Sequence, residues 1–349
     1  MSGEELDRRA GDGLMENFLR VYQEYNSLGI RDQLDYDKFY LYSIITHSTA
    51  IEGSTITEIE NQLLFDEGIS PAKRLAEQFM NLDLKAAYEK AFEFADKHAQ
   101  ITAELLCFLS AILMKNTGSE YNTIAGSFNS SKGELRLLNV SAGRGGKSYM
   151  AWQKVRPKLE EFCSWLNEER ETINRTDIET VYRLSFEAHY RLVCIHPWAD
   201  GNGRMSRLLM NMVQREFSAP LSVVKKESRA EYIKSLAESQ EGENPQGFID
   251  FMMGHHTANL LEQISEYKKS TTDDTLKTRN DTLNDTIKLS DKECAVFGLI
   301  KSDLNISTDQ IVGKTGFGRA TVMRAIKVLK EAGLVGRNGS KKTGYWEIR

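Results

Sequence analysis

Apolar residues recur at helical spacing along most of this chain. Residues 14–28 carry the pattern and stop near Gly29, and residues 34–51, 72–97 and 102–115 repeat it. It resumes at about 158–170, from Thr176 to Cys194, from Gly203 through Val213, and over about 246–267. Thr57 with Glu60, Thr176 with Glu179, Ser228 with Glu231 and Ser290 with Glu293 are capping-box pairs that predict helix starts. The texture changes from Gly118 to Ala151, where Gly, Ser and Asn cluster. Leu135–Val140 is the best strand candidate there, followed by the tight string SAGRGGKS and a short return over Tyr149–Trp152. That predicts a β-hairpin on a mainly all-α body.

Residues 268–286 are polar, with leucines only at 276 and 283, and predict a linker over 268–287. Beyond them the pattern is a helix through Leu299 and Ile300, a short helix over Ser307–Val312 and a turn at Gly316–Gly318. A helix over Arg319–Ala332 and two strands around a basic turn complete it. That order predicts a winged helix-turn-helix domain over 288–349. Charge supports the division: residues 288–349 carry twelve Lys/Arg against six Asp/Glu, so of the net −5 the remaining 287 residues carry −11. The four cysteines (Cys107, Cys163, Cys194, Cys294) are scattered without CxxC spacing, which predicts free thiols in a reducing cytoplasm. No apolar run approaches the ~20 residues of a membrane span, and no signal peptide is visible, so no membrane partner is expected.

The chemistry concentrates at 196–207, HPWADGNGRMSR. Glycines before a helix expose backbone amides, and those amides with the helix dipole favour an anion. Arg204 and Arg207 share a face of that helix and can reach further phosphate oxygens. Asp200 can hold Mg2+, and His196 can take a proton near neutral pH. Together these are the parts for transferring a phosphorylated group. Two decoys fail. SAGRGGKS (141–148) resembles a Walker A loop, but its first glycine would fall on Ser141 and Pro157 cuts short the required helix. DGNG (200–203) resembles an EF-hand loop, but the later ligand positions fall on Arg204 and Asn211. His255 and His256, adjacent on a helix, read as structural.

HPWADGNGRMSR resembles the Fic family signature HPFx(D/E)GNGRxxR, with Trp198 in place of Phe. The string STAIEG (48–53) is similar to that family's inhibitory (S/T)xxxE(G/N) motif, and RAEY (229–232) resembles its adenosine pocket. The resemblance covers about 40–265. It implies an N-terminal helical region (1–115) with an inhibitory helix at about 34–53. A Fic core (116–267) with a flap at about 135–151 follows, then the linker and the winged helix. It also implies a protein adenylyltransferase that moves AMP from ATP to a Ser, Thr or Tyr hydroxyl on a target protein. His196 is the implied base and Asp200 the Mg2+ ligand. Gly201, Asn202, Gly203, Arg204, Arg207, Tyr232 and Gln240 are implied to bind nucleotide, with Gln240 standing where the family has Asn. Val140, Ser141, Ala142 and Gly143 would form the flap that holds the target. Glu52, with Ser48, would pair with Arg207 and hold the enzyme off.

Two other readings stand beside it. The C-terminal basic residues Arg319, Arg324, Lys327, Lys330, Arg337, Lys341 and Lys342 suit DNA phosphates, so the chain could be a DNA-binding regulator with the core as nucleotide sensor. Phosphate transfer, as in Doc-type relatives, is disfavoured by the intact GNGR string. A homodimer is compatible with the sequence.

Overall fold

The computed structural model describes residues 3–141, 148–277, 291–304, 306–331, 334–338 and 345–348. Met1–Lys269 and Ser270–Arg349 form two compact units. The first opens with helices α1 (Gly3–Ser27), α2 (Tyr36–Ile51), α3 (Glu58–Glu67), α4 (Leu75–Asp96) and α5 (Ala103–Leu113). A short antiparallel ladder of β1 (Glu120–Thr123) and β2 (Gly126–Asn129) follows. Helices α6 (Val155–Thr172), α7 (Ile178–Ile195), α8 (Asn202–Glu216), α9 (Arg229–Glu241) and α10 (Gln246–Lys277) then complete the bundle.

Helix α8 is its axis. Every residue of α8 except Gly203 and Arg215 is buried, so its polar side chains need partners inside the protein. They have them: Asn211 donates to the Tyr88 hydroxyl at 3.0 Å, and Gln214 donates to Ser185 and Ser222 at 3.0 Å each. Leu208, Leu209 and Met212 face a core built with α4 to α7, while Met210 joins a second core shared with α1, α9 and α10. The site at the start of α8 is thereby fixed by two cores at once.

Three expectations change. Residues 135–140 form no ladder: Val140 accepts the Tyr149 amide at 3.0 Å, and Ser141 and Ser148 make a single bridge. The reason is Arg136, whose side chain takes the Leu138 and Met150 carbonyls that a second strand would need. Ala142 and Gly143 lie outside the described residues. Residues 268–277 continue α10, with Lys268 paired to Glu24 at 2.5 Å, because extending an established helix needs no new nucleus. The rest of the expected linker lies outside the described residues. Helix α7 is capped by Asp177, which accepts the Thr180 amide at 3.2 Å, and Ser228 makes no side-chain cap. Thr57 and Glu60 form the expected capping box.

The second unit contains α11 (Asp291–Ser302), α12 (Thr308–Thr315) and α13 (Arg319–Glu331), then antiparallel strands β3 (Val335–Asn338) and β4 (Tyr345–Ile348). Val296, Ile300, Ile311, Val322, Leu329 and Trp346 make its core. The Trp346 indole donates to the Ile306 carbonyl at 2.8 Å. Among the described residues, no helix is long and apolar enough to cross a membrane.

Candidate functional site

Helix α7 ends at His196, whose φ of 52° is left-handed and rare for a side chain with a Cβ. Its amide still donates to Leu192 O at 3.0 Å, and Pro197 cannot extend the helix. Trp198 is buried, and its indole donates to Gly133 O at 3.1 Å, a bond that phenylalanine could not make. Asn202 closes the loop: its oxygen accepts the Trp198 amide at 3.0 Å and its nitrogen donates to Trp198 O at 2.8 Å. The Asn202 side chain is therefore committed to loop geometry, and what it can offer an anion is its backbone amide. Gly201 turns the chain at φ 81°, where a Cβ would come within 2.8 Å of Met114 Sδ. Helix α8 then begins, with first amides that have no partner within the helix.

Arg204 lies in the first turn of α8 and Arg207 in the second. Arg204 is 2% exposed, its Nε and Nη1 have no hydrogen-bond partner, and its Nη2 meets only Met114 Sδ at 3.4 Å and Asp200 at 3.7 Å. A buried guanidinium with unspent donors is costly unless an anion completes it. Arg207 is fully engaged. Its Nε donates to Ser48 Oγ at 2.9 Å, and its Nη2 donates to Ser48 O at 3.0 Å and Glu52 Oε1 at 2.6 Å. Its Nη1 donates to the Tyr232 hydroxyl at 3.3 Å, and that hydroxyl also meets His189 Nε2 at 2.8 Å. Tyr232, expected at the nucleotide, is thus buried against Arg207.

Glu52 is the C-cap of α2, and its side chain remains 35% exposed. Burial works to raise its carboxyl pKa, but Arg207, then Arg204 and Arg229, outweigh it and hold the pKa below the usual range. A Cβ on Gly203 would lie 2.7 Å from Glu52 Oε1, so the carboxylate sits directly over the start of α8. The end of α2 is pinned in two ways. Arg229 Nε donates to Ile51 O at 2.8 Å. Asn81 accepts from Thr49 at 2.8 Å and from Asn61 at 2.9 Å, and donates to Ser54 Oγ at 3.2 Å.

The His196 ring stacks on Tyr149 with centroids 3.8 Å apart and planes 18° apart. Burial, with Arg136 nearby, pushes its pKa down to about 4, against the opposing pull of the Val193 carbonyl, Asp200 and Glu52. The ring is therefore neutral at physiological pH, with a free lone pair. Asp200 is 63% exposed, and its Oδ1 accepts the Gly201 amide at 2.6 Å. A cavity of about 330 Å3 opens beside Tyr149, lined by Ser148, Met150, Tyr190, Cys194, Gln240 and Glu243. Gln240 Nε2 donates weakly to Cys194 Sγ at 3.5 Å.

The sequence does not point to Tyr149, Arg136 or Glu243 as site residues, and Arg229, expected with RAEY at the adenosine pocket, instead bonds the end of α2. Only Arg136 leaves a signal, a lone cation in the run LRLL.

Residues 100–214 match the model of the Fic/DOC family. Protein adenylyltransferase fic-1 of Caenorhabditis elegans is 25% identical over 237 residues, 67% of this chain and 43% of that protein. Protein adenylyltransferase Fic of Drosophila erecta is 28% identical over 212 residues, 57% of this chain and 37% of that protein. The chain thus spans less than half the length of these curated relatives. Among solved structures, Fic-1 (residues 134–508) from C. elegans superposes with a TM-score of 0.61 at 22% identity, covering 76% of each chain. A Fic domain-containing signalling protein from Bacteroides thetaiotaomicron gives 0.58 at 20% identity, covering 72% of this chain and 98% of that one. The likeness in structure shows the fold, and residues 100–214, which hold His196 and the loop into α8, are the part of the chain that matches the Fic/DOC family.

Proposed function

We propose that this chain is a protein adenylyltransferase that transfers AMP from ATP to a Ser, Thr or Tyr hydroxyl of a target protein, and that Glu52 holds it inactive. The observation that carries the reading is Arg204, buried with two unpartnered nitrogens at the start of α8. A triphosphate laid over the first amides of α8 supplies the missing oxygens.

Neutral His196 accepts the proton of the target hydroxyl as its oxygen bonds to the α-phosphorus, and the bond to pyrophosphate breaks in line. Arg204 and the α8 amides take the charge on the phosphates, and Arg207 is the natural partner of the γ-phosphate. Asp200 fits a Mg2+ ligand: it is exposed and has an oxygen to spare. Among the described residues no group of three or more His, Cys, Asp or Glu could hold a metal by itself. A single carboxylate suits a cation that arrives on nucleotide phosphates, and when bound it would neutralise phosphate charge. The cavity beside Tyr149 suits the base, with Gln240 and Glu243 as its polar edge. The segment from Val140 to Ser141 offers main-chain groups to an extended target. Glu52 occupies Arg207 and adds negative charge where the γ-phosphate belongs.

Intact-mass measurement after incubating Glu52→Gly with each nucleoside triphosphate and Mg2+ tests this. A gain matching AMP, from ATP alone, supports it. A gain of one phosphate, or none with any nucleotide and added target lysate, overturns it.

A second reading rests on α13, whose exposed face presents Arg319, Arg324, Lys327 and Lys330. We read residues 288–349 as a winged helix whose α13 meets duplex phosphates. Salt-dependent DNA binding by the full chain that weakens when Arg324 and Lys327 become Ala supports it. Unchanged binding, or none at low salt, removes it.

A further inference from the structure

We propose that Arg136 is a positioning residue for this reaction: its guanidinium locks the backbone of His196 to Leu138 and Met150, so the base is held together with the stretches 138–141 and 148–150 that offer the target its edge. The inference rests on the transferase reading above.

The geometry is a closed circuit. Arg136 Nε donates to the His196 carbonyl at 2.8 Å, Nη1 to Leu138 O at 2.7 Å and Nη2 to Met150 O at 2.7 Å. The Arg136 backbone amide donates to Pro197 O at 3.1 Å. Both carbonyls of the His196–Pro197 turn are therefore satisfied by one residue. The residue before Met150 is Tyr149, whose ring returns to stack on His196. Turn, guanidinium, segment and ring close on themselves around the base.

Two features separate this from ordinary core packing. Arg136 is only 1% exposed, and among the described residues no carboxylate pairs with it. A cation buried without a counter-charge is expensive, and a leucine or methionine would fill the same space without that cost. What an apolar side chain cannot do is bond the carbonyls of Leu138, Met150 and His196 at once. The guanidinium fork does this with charge-assisted bonds, and a lysine ammonium cannot match its geometry. The second feature is His196 itself. Its left-handed backbone is strained, and such strain persists only where surrounding bonds over-determine it. Arg136 supplies those bonds on the carbonyl side, as Leu192 does on the amide side. Releasing the turn would swing the imidazole relative to the start of α8, where ~1 Å of misplacement is worth ~100-fold in rate.

The test compares Arg136→Met and Arg136→Lys within the Glu52→Gly chain. The expected result is a kcat about 100-fold lower for Arg136→Met with the KM for ATP changed less than threefold, since α8 and Arg204 are untouched, and a partial recovery of kcat for Arg136→Lys. A kcat equal to the parent's in either variant overturns the proposal, and so does a loss carried mainly by KM for ATP. Hydrogen exchange at the Tyr149 amide, bonded to Val140 O, is read in parallel on Arg136→Lys. Faster exchange there, with α8 still protected, is the expected result; unchanged exchange overturns the proposal. Should Arg136→Met not fold, Arg136→Lys decides by both readouts. Should the Glu52→Gly parent itself transfer nothing, the transferase reading fails, and the exchange measurement still decides whether Arg136 locks the segment.

Discussion

Glu52 Oε1 accepts from Arg207 Nη2 at 2.6 Å while lying over Gly203, so one carboxylate both occupies the arginine and covers the first turn of α8. Glu52→Gly removes both effects. AMP incorporation into protein is expected to rise about 100-fold, the scale of a ~1 Å correction in phosphate placement. Gel autoradiography with labelled ATP reads it, and equal labelling of the variant and the parent chain would count against inhibition. The direction of the Glu52 pKa adds a sign. It is held below the ordinary carboxylate range, so the pair persists above pH 4.5 and is lost only as pH falls through the lowered value.

Asn81 is expected to tune that inhibition without touching the site. It gathers Thr49, Asn61 and Ser54 behind the end of α2. Asn81→Leu removes one hydrogen bond from each of those buried groups, at about 0.5–1.5 kcal/mol per bond. The melting temperature should fall, and basal transfer should rise part of the way toward that of Glu52→Gly. A less stable protein with unchanged basal transfer would show that Glu52 is positioned without this network.

Much of this was legible in the residues. The HPWADGNGRMSR string pointed to an anion site because its glycines, arginines and histidine fall within twelve consecutive residues. STAIEG could be matched to Arg207 only through family resemblance, since nothing in spacing links positions 155 residues apart. The hairpin was misplaced because Leu135–Val140 has the composition of a strand, and composition does not reveal that Arg136 will take the carbonyls a ladder requires. Tyr149 was invisible for a related reason: stacking on His196 follows from the segment folding back, not from any periodicity.

Trp198→Phe tests how the loop tolerates the commoner residue. The indole bond to Gly133 O is buried, and losing it should cost about 0.5–1.5 kcal/mol. In the Glu52→Gly background transfer should stay within a few-fold, because Asn202 bonds to the backbone of residue 198 and not to its ring. Thermal melting and initial rates measured together check this. A loss of activity without a loss of stability would mean the indole itself shapes the site.

The pH dependence of transfer should identify His196 as the base. Burial depresses its pKa to about 4, so the ring is neutral, and able to accept a proton, at any pH above that value. For a group required in its neutral form, the rate falls as pH drops through the pKa. The acid limb of kcat/KM for Glu52→Gly should therefore lie well below the ordinary histidine value of about 6.5. Removing the stacking ring with Tyr149→Ala exposes the imidazole to water, which relieves desolvation and should move that limb upward while lowering kcat. His196→Ala should abolish transfer yet keep ATP binding, since the phosphate contacts belong to α8. An acid limb near 6.5 in Glu52→Gly, unmoved by Tyr149→Ala, would place the base elsewhere.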